Sequence, residues 1–202
     1  MQAPFHALGI LNPELLRVGY GSFREADGNL QMGAGINVIR GRGPHPPSVE
    51  FPVKWPSDGA SVPLTLHWGE IPSPLTSCPG YKSPSGLPII LQIGNGSQVP
   101  MVTSHSFAQG NTPLEHCVFD ETSYTNPDSS LQNGGRGKLN SHDAIILIPR
   151  DPLSLGASYN VSITVNGQTH TWSFTVSSTA KNISDMNYLL APRMDMIEIT
   201  IM

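Results

Sequence analysis

The chain has 202 residues, of which 38% are apolar and 13% are charged, and its net charge is −4 at neutral pH. This length is enough for one domain of ordinary size and part of a second one. The charge leaves no electrostatic footprint for nucleic acid or an anionic membrane, and apolar runs such as residues 144–148 are too short to span a bilayer.

The first part of the chain, residues 1–43, predicts one β-hairpin after a short leading segment. Residues 15–23 and 30–39 have strand character, and residues 24–29 between them predict a turn. The start "MQAPFHALGIL" has neither a basic region nor a cleavage site, so no signal peptide is predicted.

A hairpin of two strands is marginally stable in water and needs a partner surface. We therefore expect this hairpin either to pack against the rest of the chain or to self-associate. The apolar side chains that would make the contact are those of Val18, Tyr20, Ile36 and Val38.

Glycine and proline dominate the stretch "GRGPHPPS" at 41–48, and residues 44–48 of it are interpreted as a linker. His45 within this stretch is expected to be a solvated residue rather than a ligand.

The second part, residues 49–177, predicts an all-β, immunoglobulin-like antiparallel sandwich of seven or eight short strands. Asn166–Gly167 lies between two alternating strands, which is the strongest short signal for a hairpin. Trp172, Phe174, Tyr159 and Ile163 are expected to be buried. The predicted strands are residues 49–55, 63–68, 87–93, 100–108, 114–119, 143–149, 157–165 and 169–176.

Two polar or atypical segments accompany the sandwich. Residues 120–142 are interpreted as a long polar loop, which is typical of functional or mobile segments. In the tail at 178–202, residues 184–191 could form a short helix and residues 196–202 an edge strand.

Two cysteines are present, Cys78 and Cys117. They are either two unrelated thiols or one disulfide, which would suit an extracellular protein. Neither stands in a spacing that is typical of metal ligands.

The sequence also resembles known domains. The stretch "FHALGILNPELLRVGYG" at 5–21, followed by "GNLQMGAGINVIRG" at 28–41, resembles the end of a bacterial CAP (SCP-like) domain. The region after it, and above all "LIPRDPLSLGASYNV" at 147–161, is similar to the Ig-like module that follows CAP domains in secreted bacterial proteins. This resemblance implies an extracellular or cell-surface location.

The resemblance also implies a partial site. CAP domains gather two histidines and two acidic residues in a cleft that can hold a divalent metal, and His6 matches one of these histidines. Ala7 stands where an arginine commonly follows, and the other three groups would lie upstream of the matched segment. His6 is therefore interpreted as a remnant of the cleft, and no metal or cofactor is predicted for this chain.

No complete catalytic constellation is recognised in the sequence. Ser141, His142 and Asp143 are adjacent, but alternation along a strand sends neighbours to opposite faces. "GAG" at 33–35 lies within a predicted strand and is not a phosphate loop. The remaining histidines, among them His67, His105, His116 and His170, are scattered singly, so a His/Cys/Met copper site is a minor alternative.

Two hypotheses about function remain. The favoured one is a non-catalytic, secreted or cell-surface Ig-like module that contacts an extracellular protein or polysaccharide. The alternative is a fragment of a CAP-superfamily metal-binding protein or hydrolase, whose cleft is completed by missing upstream residues.

Overall fold

The computed structural model describes residues 1–24 and 32–177. It contains the helices α1 (Pro4–Ile10) and α2 (Ser129–Asn140) and a short 3₁₀ helix, Pro74–Ser77. The predictions for residues 178–202 and most of the predicted turn at 24–29 lie outside the described residues. The strands, in chain order, are β1 (Gly19–Arg24), β2 (Met32–Asn37), β3 (Val53–Trp55), β4 (Ala60–Val62), β5 (Leu66–His67), β6 (Ser85–Gly86), β7 (Ile89–Gln92), β8 (Val102–Gln109), β9 (Thr112–Pro113), β10 (His116–Phe119), β11 (Ala144–Pro149), β12 (Ser158–Val165) and β13 (Gln168–Val176).

Two larger sheets carry most of these strands. One has four antiparallel strands in the order β10–β11–β7–β3, and the other has five strands in the order β4–β13–β12–β8–β9. All pairs in the second sheet are antiparallel except β4 with β13, which run parallel. The side chains of both sheets belong to one hydrophobic cluster. The predicted all-β class is confirmed at this level.

The hairpin of β12 and β13 is present as predicted. Asn166 and Gly167 form its turn with φ values of 51° and 78°, both in the left-handed region that a two-residue hairpin turn of type I′ requires. Alternate residues on both strands point into the core, and Trp172, Phe174, Tyr159 and Ile163 are all buried. The strand period of two therefore identified the inward face correctly.

Strands β7 and β11 at the centre of the four-stranded sheet are buried along their whole length. Continuous burial means that both faces of the sheet are covered, as in sheets that carry helices. Helix α2 contacts β11, and α1 contacts α2. Phe5 and Leu8 of α1 and Leu139 of α2 are buried in the same cluster as these strands. The two helices therefore complete the core on this side of the sheet.

Helix α2 lies within residues 120–142, where the sequence predicted a loop. Asp128 caps it by accepting hydrogen bonds from the backbone N–H groups of Ser130 and Leu131. Its three glycines lower intrinsic helix propensity, which conceals the helix in the sequence. Gly135 packs against the ring of Tyr124, where a β-carbon would clash, so one of these glycines is required by packing.

The N-terminal hairpin does not pack on the sandwich through the residues that the sequence suggested. Val18, Tyr20 and Ile36 are exposed, and among the predicted contact residues only Val38 is half-buried, beside Gly9 of α1. The prediction that the hairpin packs against the rest of the chain is wrong for these three exposed residues, because α1 supplies the buried contacts of this segment instead. The other alternative, self-association, stays a prediction.

The two cysteines form a disulfide between Cys78, at the end of the 3₁₀ helix, and Cys117 in β10. Their Cα atoms are 5.6 Å apart, and the bridge encloses a sequence separation of 39 residues. The disulfide interpretation of the cysteines is thus confirmed, and the loop before β7 is tied to the edge of the four-stranded sheet.

Candidate functional site

His6 lies at the start of α1 and is held by Glu70, which is 64 residues away in sequence. The Nδ1 atom of His6 lies 2.6 Å from Oε2 of Glu70. The same carboxylate accepts hydrogen bonds from the backbone N–H of Phe5 (3.0 Å) and of His6 (3.3 Å). The Glu70 side chain is 3% exposed and that of His6 is 71% exposed. The imidazole is therefore fixed through Nδ1, and its Nε2 atom is left without a protein partner in the described chain.

His67 forms a hydrogen bond with the residues just before α1. It is fully buried, and its Nδ1–H donates to the carbonyl oxygen of Gln2 over 2.7 Å. His67 and Glu70 in the segment 67–70 thus both form hydrogen bonds with residues 2–6 at the start of the chain. Neither contact has a signal in the sequence, because each joins residues more than 60 positions apart.

Residues 1–24 and 32–177 contain no group of three or more His, Cys, Asp or Glu side chains that could hold a metal ion. The Nε2 atom of His45 lies 2.7 Å from the carbonyl oxygen of Val49, and the His45 ring stacks on that of Phe51. The expectation that His45 is a solvated linker residue is wrong, because the ring is half-buried by this stacking.

Ser141, His142 and Asp143 do not form a catalytic triad. Ser141 Oγ lies 2.8 Å from His142 Nδ1, but the carboxylate of Asp143 accepts hydrogen bonds from the backbone N–H groups of Ser97 and Gln98 at 3.1 Å. The expectation that strand alternation separates these neighbours is wrong, because all three residues lie in the turn before β11, and only Asp143 turns away from the other two. Asp143 holds the loop after β7, and His142 points towards α1.

The buried imidazole of His142 makes the fold sensitive to acid. Burial lowers the pKa of His142 to about 4, and the charges of Lys138 and Arg42 act in the same direction. Hydrogen bonds to the carbonyl oxygens of Lys138 and Leu8 oppose this shift without cancelling it. His142 also lies 3.5 Å from the Asn12 amide. Since the unfolded imidazole titrates near pH 6.5, only the unfolded chain takes up this proton between about pH 6.5 and pH 4.

We therefore expect the stability contributed by neutral His142 to be complete above about pH 6.5 and to be lost as the pH falls through 4. The loss should amount to about 3 kcal/mol in the free energy of unfolding. Urea unfolding at several pH values measures it, and His142→Asn should flatten this part of the curve. An unchanged acid dependence in the variant would contradict the assignment to His142.

His105 and His116 meet between the two larger sheets. His116 Nδ1–H donates to the carbonyl oxygen of Leu114 over 2.7 Å, so its Nε2 atom accepts from His105 Nδ1–H at 2.9 Å. Burial and the neighbouring His116 lower the pKa of His105. The pair joins β8 to β10. The sequence placed these two histidines on separate strands and gave no signal that they would meet.

The hairpin of β1 and β2 exposes several large apolar side chains. Its two faces differ because side chains alternate along each strand. Tyr20 pairs with Ile36 on one face, and these side chains are 57% and 53% exposed. The other face carries Phe23, which is 69% exposed, and four glycines. These glycines are Gly19, Gly21, Gly33 and Gly35. We call this second face the glycine face.

A scan against known family models finds no match for this chain, and a search of the curated proteins finds no significant similarity. Neither of the two α-helices within the described ranges is long and apolar enough to cross a membrane.

Proposed function

We propose that this chain is a non-catalytic, secreted or cell-surface module. Its sandwich is of the Ig-like kind, and its N-terminal segment is a remnant of a CAP-like domain. The module acts by contact, and the surface that makes the contact is the hairpin of β1 and β2. The observation that carries the proposal is the exposure of large apolar side chains on this hairpin.

The strand order supports an Ig-like assignment. Ig domains place strands A, B, E and D in one sheet and C, F and G in the other. The order β3–β7–β11–β10 corresponds to the first set, and β8, β12 and β13 are adjacent as C, F and G are.

Two features depart from antibody domains, so the similarity lies in the strand order alone. Antibody domains join strands B and F by a disulfide, whereas Cys78–Cys117 joins a loop to β10. Helix α2 also lies in the connection between β10 and β11, which correspond to strands D and E.

The disulfide supports a location outside the cytosol. Structural disulfides form and persist in oxidising compartments and are rare in the cytosol. Cys78 is buried, and both thiols are used in the bridge, as expected for a structural disulfide.

The shape of the hairpin supports a polypeptide partner. Monomeric proteins rarely expose contiguous apolar patches, and such patches mark interaction sites. A sheet of two strands also has two open edges, to which another chain can add a strand. Hairpins of this kind are marginally stable unless something covers them.

The partner that fits the glycine face best is a second copy of this chain. Within residues 1–24 and 32–177, no atom lies within contact distance of a β-carbon built on Gly21, Gly33 or Gly35. Across a two-fold axis, Phe23 of one copy can cover the bare backbone of these glycines in the other. The face is thus self-complementary, with an aromatic ring and its receiving surface on the same hairpin.

Sedimentation velocity over about a hundredfold range of protein concentration tests this proposal. We expect the wild-type chain to show a monomer–dimer equilibrium, and Phe23→Ser to weaken it by about tenfold or more, as for an aromatic anchor. Ile10→Ser is the matched control, because it removes an exposed apolar side chain from α1 and not from the hairpin.

Two outcomes would contradict the proposal. One is a wild-type chain that remains monomeric over the whole range of concentrations. The other is an association that Ile10→Ser weakens as much as Phe23→Ser does, because the contact would then lie elsewhere.

A second candidate function is favoured by the geometry around His6. Histidines that bind metals almost always donate their other ring N–H to a carboxylate, carbonyl or water, which fixes the ring. The Glu70 carboxylate accepts such a bond from Nδ1 of His6, and most of the His6 ring is exposed to solvent. Under this alternative, His6 is one ligand of a CAP-type metal site whose remaining ligands come from outside the described residues.

Isothermal titration with zinc separates the two candidates. A zinc site generally needs three or four protein ligands, so we expect no stoichiometric binding by the chain. His6→Ala should change the free energy of unfolding by no more than about 1 kcal/mol, because the His6 ring is mostly exposed and Glu70 keeps its two backbone hydrogen bonds. Tight one-to-one binding that disappears in His6→Ala would favour the CAP-type site over the contact module.

A further inference from the structure

We infer that the outward face of the five-stranded sheet binds a neutral polysaccharide. This surface is separate from the hairpin and goes beyond the function proposed above. The register of β8, β12 and β13 brings eleven side chains onto it. We call this surface the hydroxyl face; its residues are Ser104, Ser106, Ala108, Ser158, Asn160, Ser162, Thr164, Thr169, Thr171, Ser173 and Thr175.

The hydroxyl face is uniform in its chemistry. Nine of its eleven residues are serine or threonine, and the other two are Asn160 and Ala108. None of the eleven is charged, aromatic or a large aliphatic residue. A surface that is merely solvated usually carries lysine or glutamate, so the lack of charge across three strands is informative about the ligand.

The hydroxyl groups near the margin of the face form hydrogen bonds with one another. Thr164 Oγ1 lies 2.9 Å from Ser104 Oγ and 2.9 Å from Thr169 Oγ1. Ser158 Oγ and Thr175 Oγ1 form a further pair at 2.9 Å. These contacts fix the rotamers on either side of the centre.

The hydroxyls at the centre have no such partners. The side chains of Ser106, Ser162, Thr171 and Ser173 make no hydrogen bond to any residue that the structure describes. They line an open depression of about 350 Å³, together with Asn160 and Asp58. The hydroxyl groups at the centre of the face are therefore free to donate and accept hydrogen bonds, and they lie between side chains that hold one another in place.

Two polar groups at the depression can add directed contacts. Asp58 uses Oδ1 to accept the backbone N–H of Ser173 at 3.1 Å, and its side chain is otherwise exposed. Asn160 uses its Nδ2 to donate to the carbonyl oxygen of Gly110 at 3.1 Å. The remaining carboxylate and amide oxygens are acceptors for the hydroxyl groups of a ligand.

A neutral polysaccharide matches this chemistry. Each sugar hydroxyl both donates and accepts, as serine and threonine hydroxyls do. A protein interface would need an apolar centre with aromatic anchors, and a nucleic acid would need cations; the hydroxyl face has neither. Because the face lacks an aromatic ring for stacking, each sugar unit contributes little, and binding requires a chain that spans several strands.

Affinity electrophoresis in native gels tests the inference on the full chain. The gels contain one of several neutral polysaccharides: dextran, laminarin, galactomannan or soluble starch. We expect at least one to retard the protein. Ser106→Ala/Ser162→Ala/Thr171→Val should reduce the retardation by about fivefold or more, since it removes three central hydroxyls and keeps the shape. The anionic polymer polygalacturonate should not retard the protein, because the face offers it no cation.

Ser158→Ala/Thr175→Val is the matched control, because these hydroxyls satisfy each other outside the depression. Phe23→Ser should leave the retardation unchanged, which separates this inference from the hairpin proposal. The inference is overturned if none of the four polysaccharides retards the wild-type chain, or if the central triple variant is retarded as strongly as the wild type.

Discussion

Replacing Phe5 by alanine is expected to lower the free energy of unfolding by about 3–5 kcal/mol, the usual cost of removing a buried phenylalanine. Phe5 is buried in the core, with its ring centroid 5.1 Å from that of Tyr124 and 6.4 Å from that of Phe119. Urea unfolding followed by tryptophan fluorescence measures the change. The large effect is expected because α1 closes the core beside the four-stranded sheet.

Ile10→Ala is the control for this experiment, since Ile10 belongs to the same helix but is exposed. Its cost should stay within about 0.5 kcal/mol. If Phe5→Ala were as mild as Ile10→Ala, α1 would not be docked in solution.

Removing the disulfide by Cys78→Ser/Cys117→Ser is expected to cost about 3–4 kcal/mol. A bridge of this separation restricts the unfolded chain by about that amount on the chain-entropy account. Thermal unfolding with and without reductant measures the effect. Reductant should lower the melting temperature of the wild-type chain towards that of the variant and leave the variant unchanged. A wild-type chain whose melting temperature is the same in reductant would contradict a stabilising bridge.

The strand-based part of the fold could be predicted because its signals are local. Alternation of apolar and polar residues identified the inward faces of β12 and β13, and Asn166–Gly167 identified their turn. The run "AIILI" at 144–148 carried a further signal, since continuous apolar strands are typical of sheets that are covered on both faces. The sequence interpretation did not use this signal, and the structure shows that the two helices supply the covering layer.

Helix α1 could not be predicted because tertiary contacts decide it, and α2 was missed because its glycines lower helix propensity. Helix α1 has seven residues, too few for a stable isolated helix, and it depends on the burial of Phe5 and Leu8 and on Glu70. Helix α2 contains three glycines and forms because Asp128 caps it and Gly135 packs on Tyr124. The Asp128 cap is a local signal that the sequence interpretation missed, whereas the packing of Gly135 on Tyr124 becomes apparent only in the folded chain.

The contacts at the candidate sites were also hidden from the sequence wherever they join distant residues. His6 and the two cysteines were recognised in the sequence. The contacts of Glu70 with His6, of His67 with Gln2 and of His105 with His116 were not, because each joins separate segments of the chain. The hydroxyl face could have been noticed, since serine and threonine occupy the outward positions of "ASYNVSITV" and "THTWSFTV". Its central, unpaired hydroxyls become apparent only when β8 is placed beside β12.

The most direct test of the central claim, that the β1–β2 hairpin is a contact surface, is amide hydrogen exchange measured at low and at high protein concentration. We expect amides of Gly19–Arg24 and Met32–Asn37 to become more protected as the concentration rises, because a second copy covers the hairpin. Amides of β12 and β13 serve as the internal reference, since their protection arises within one chain. Hairpin amides that exchange at the same rate at both concentrations would contradict the claim.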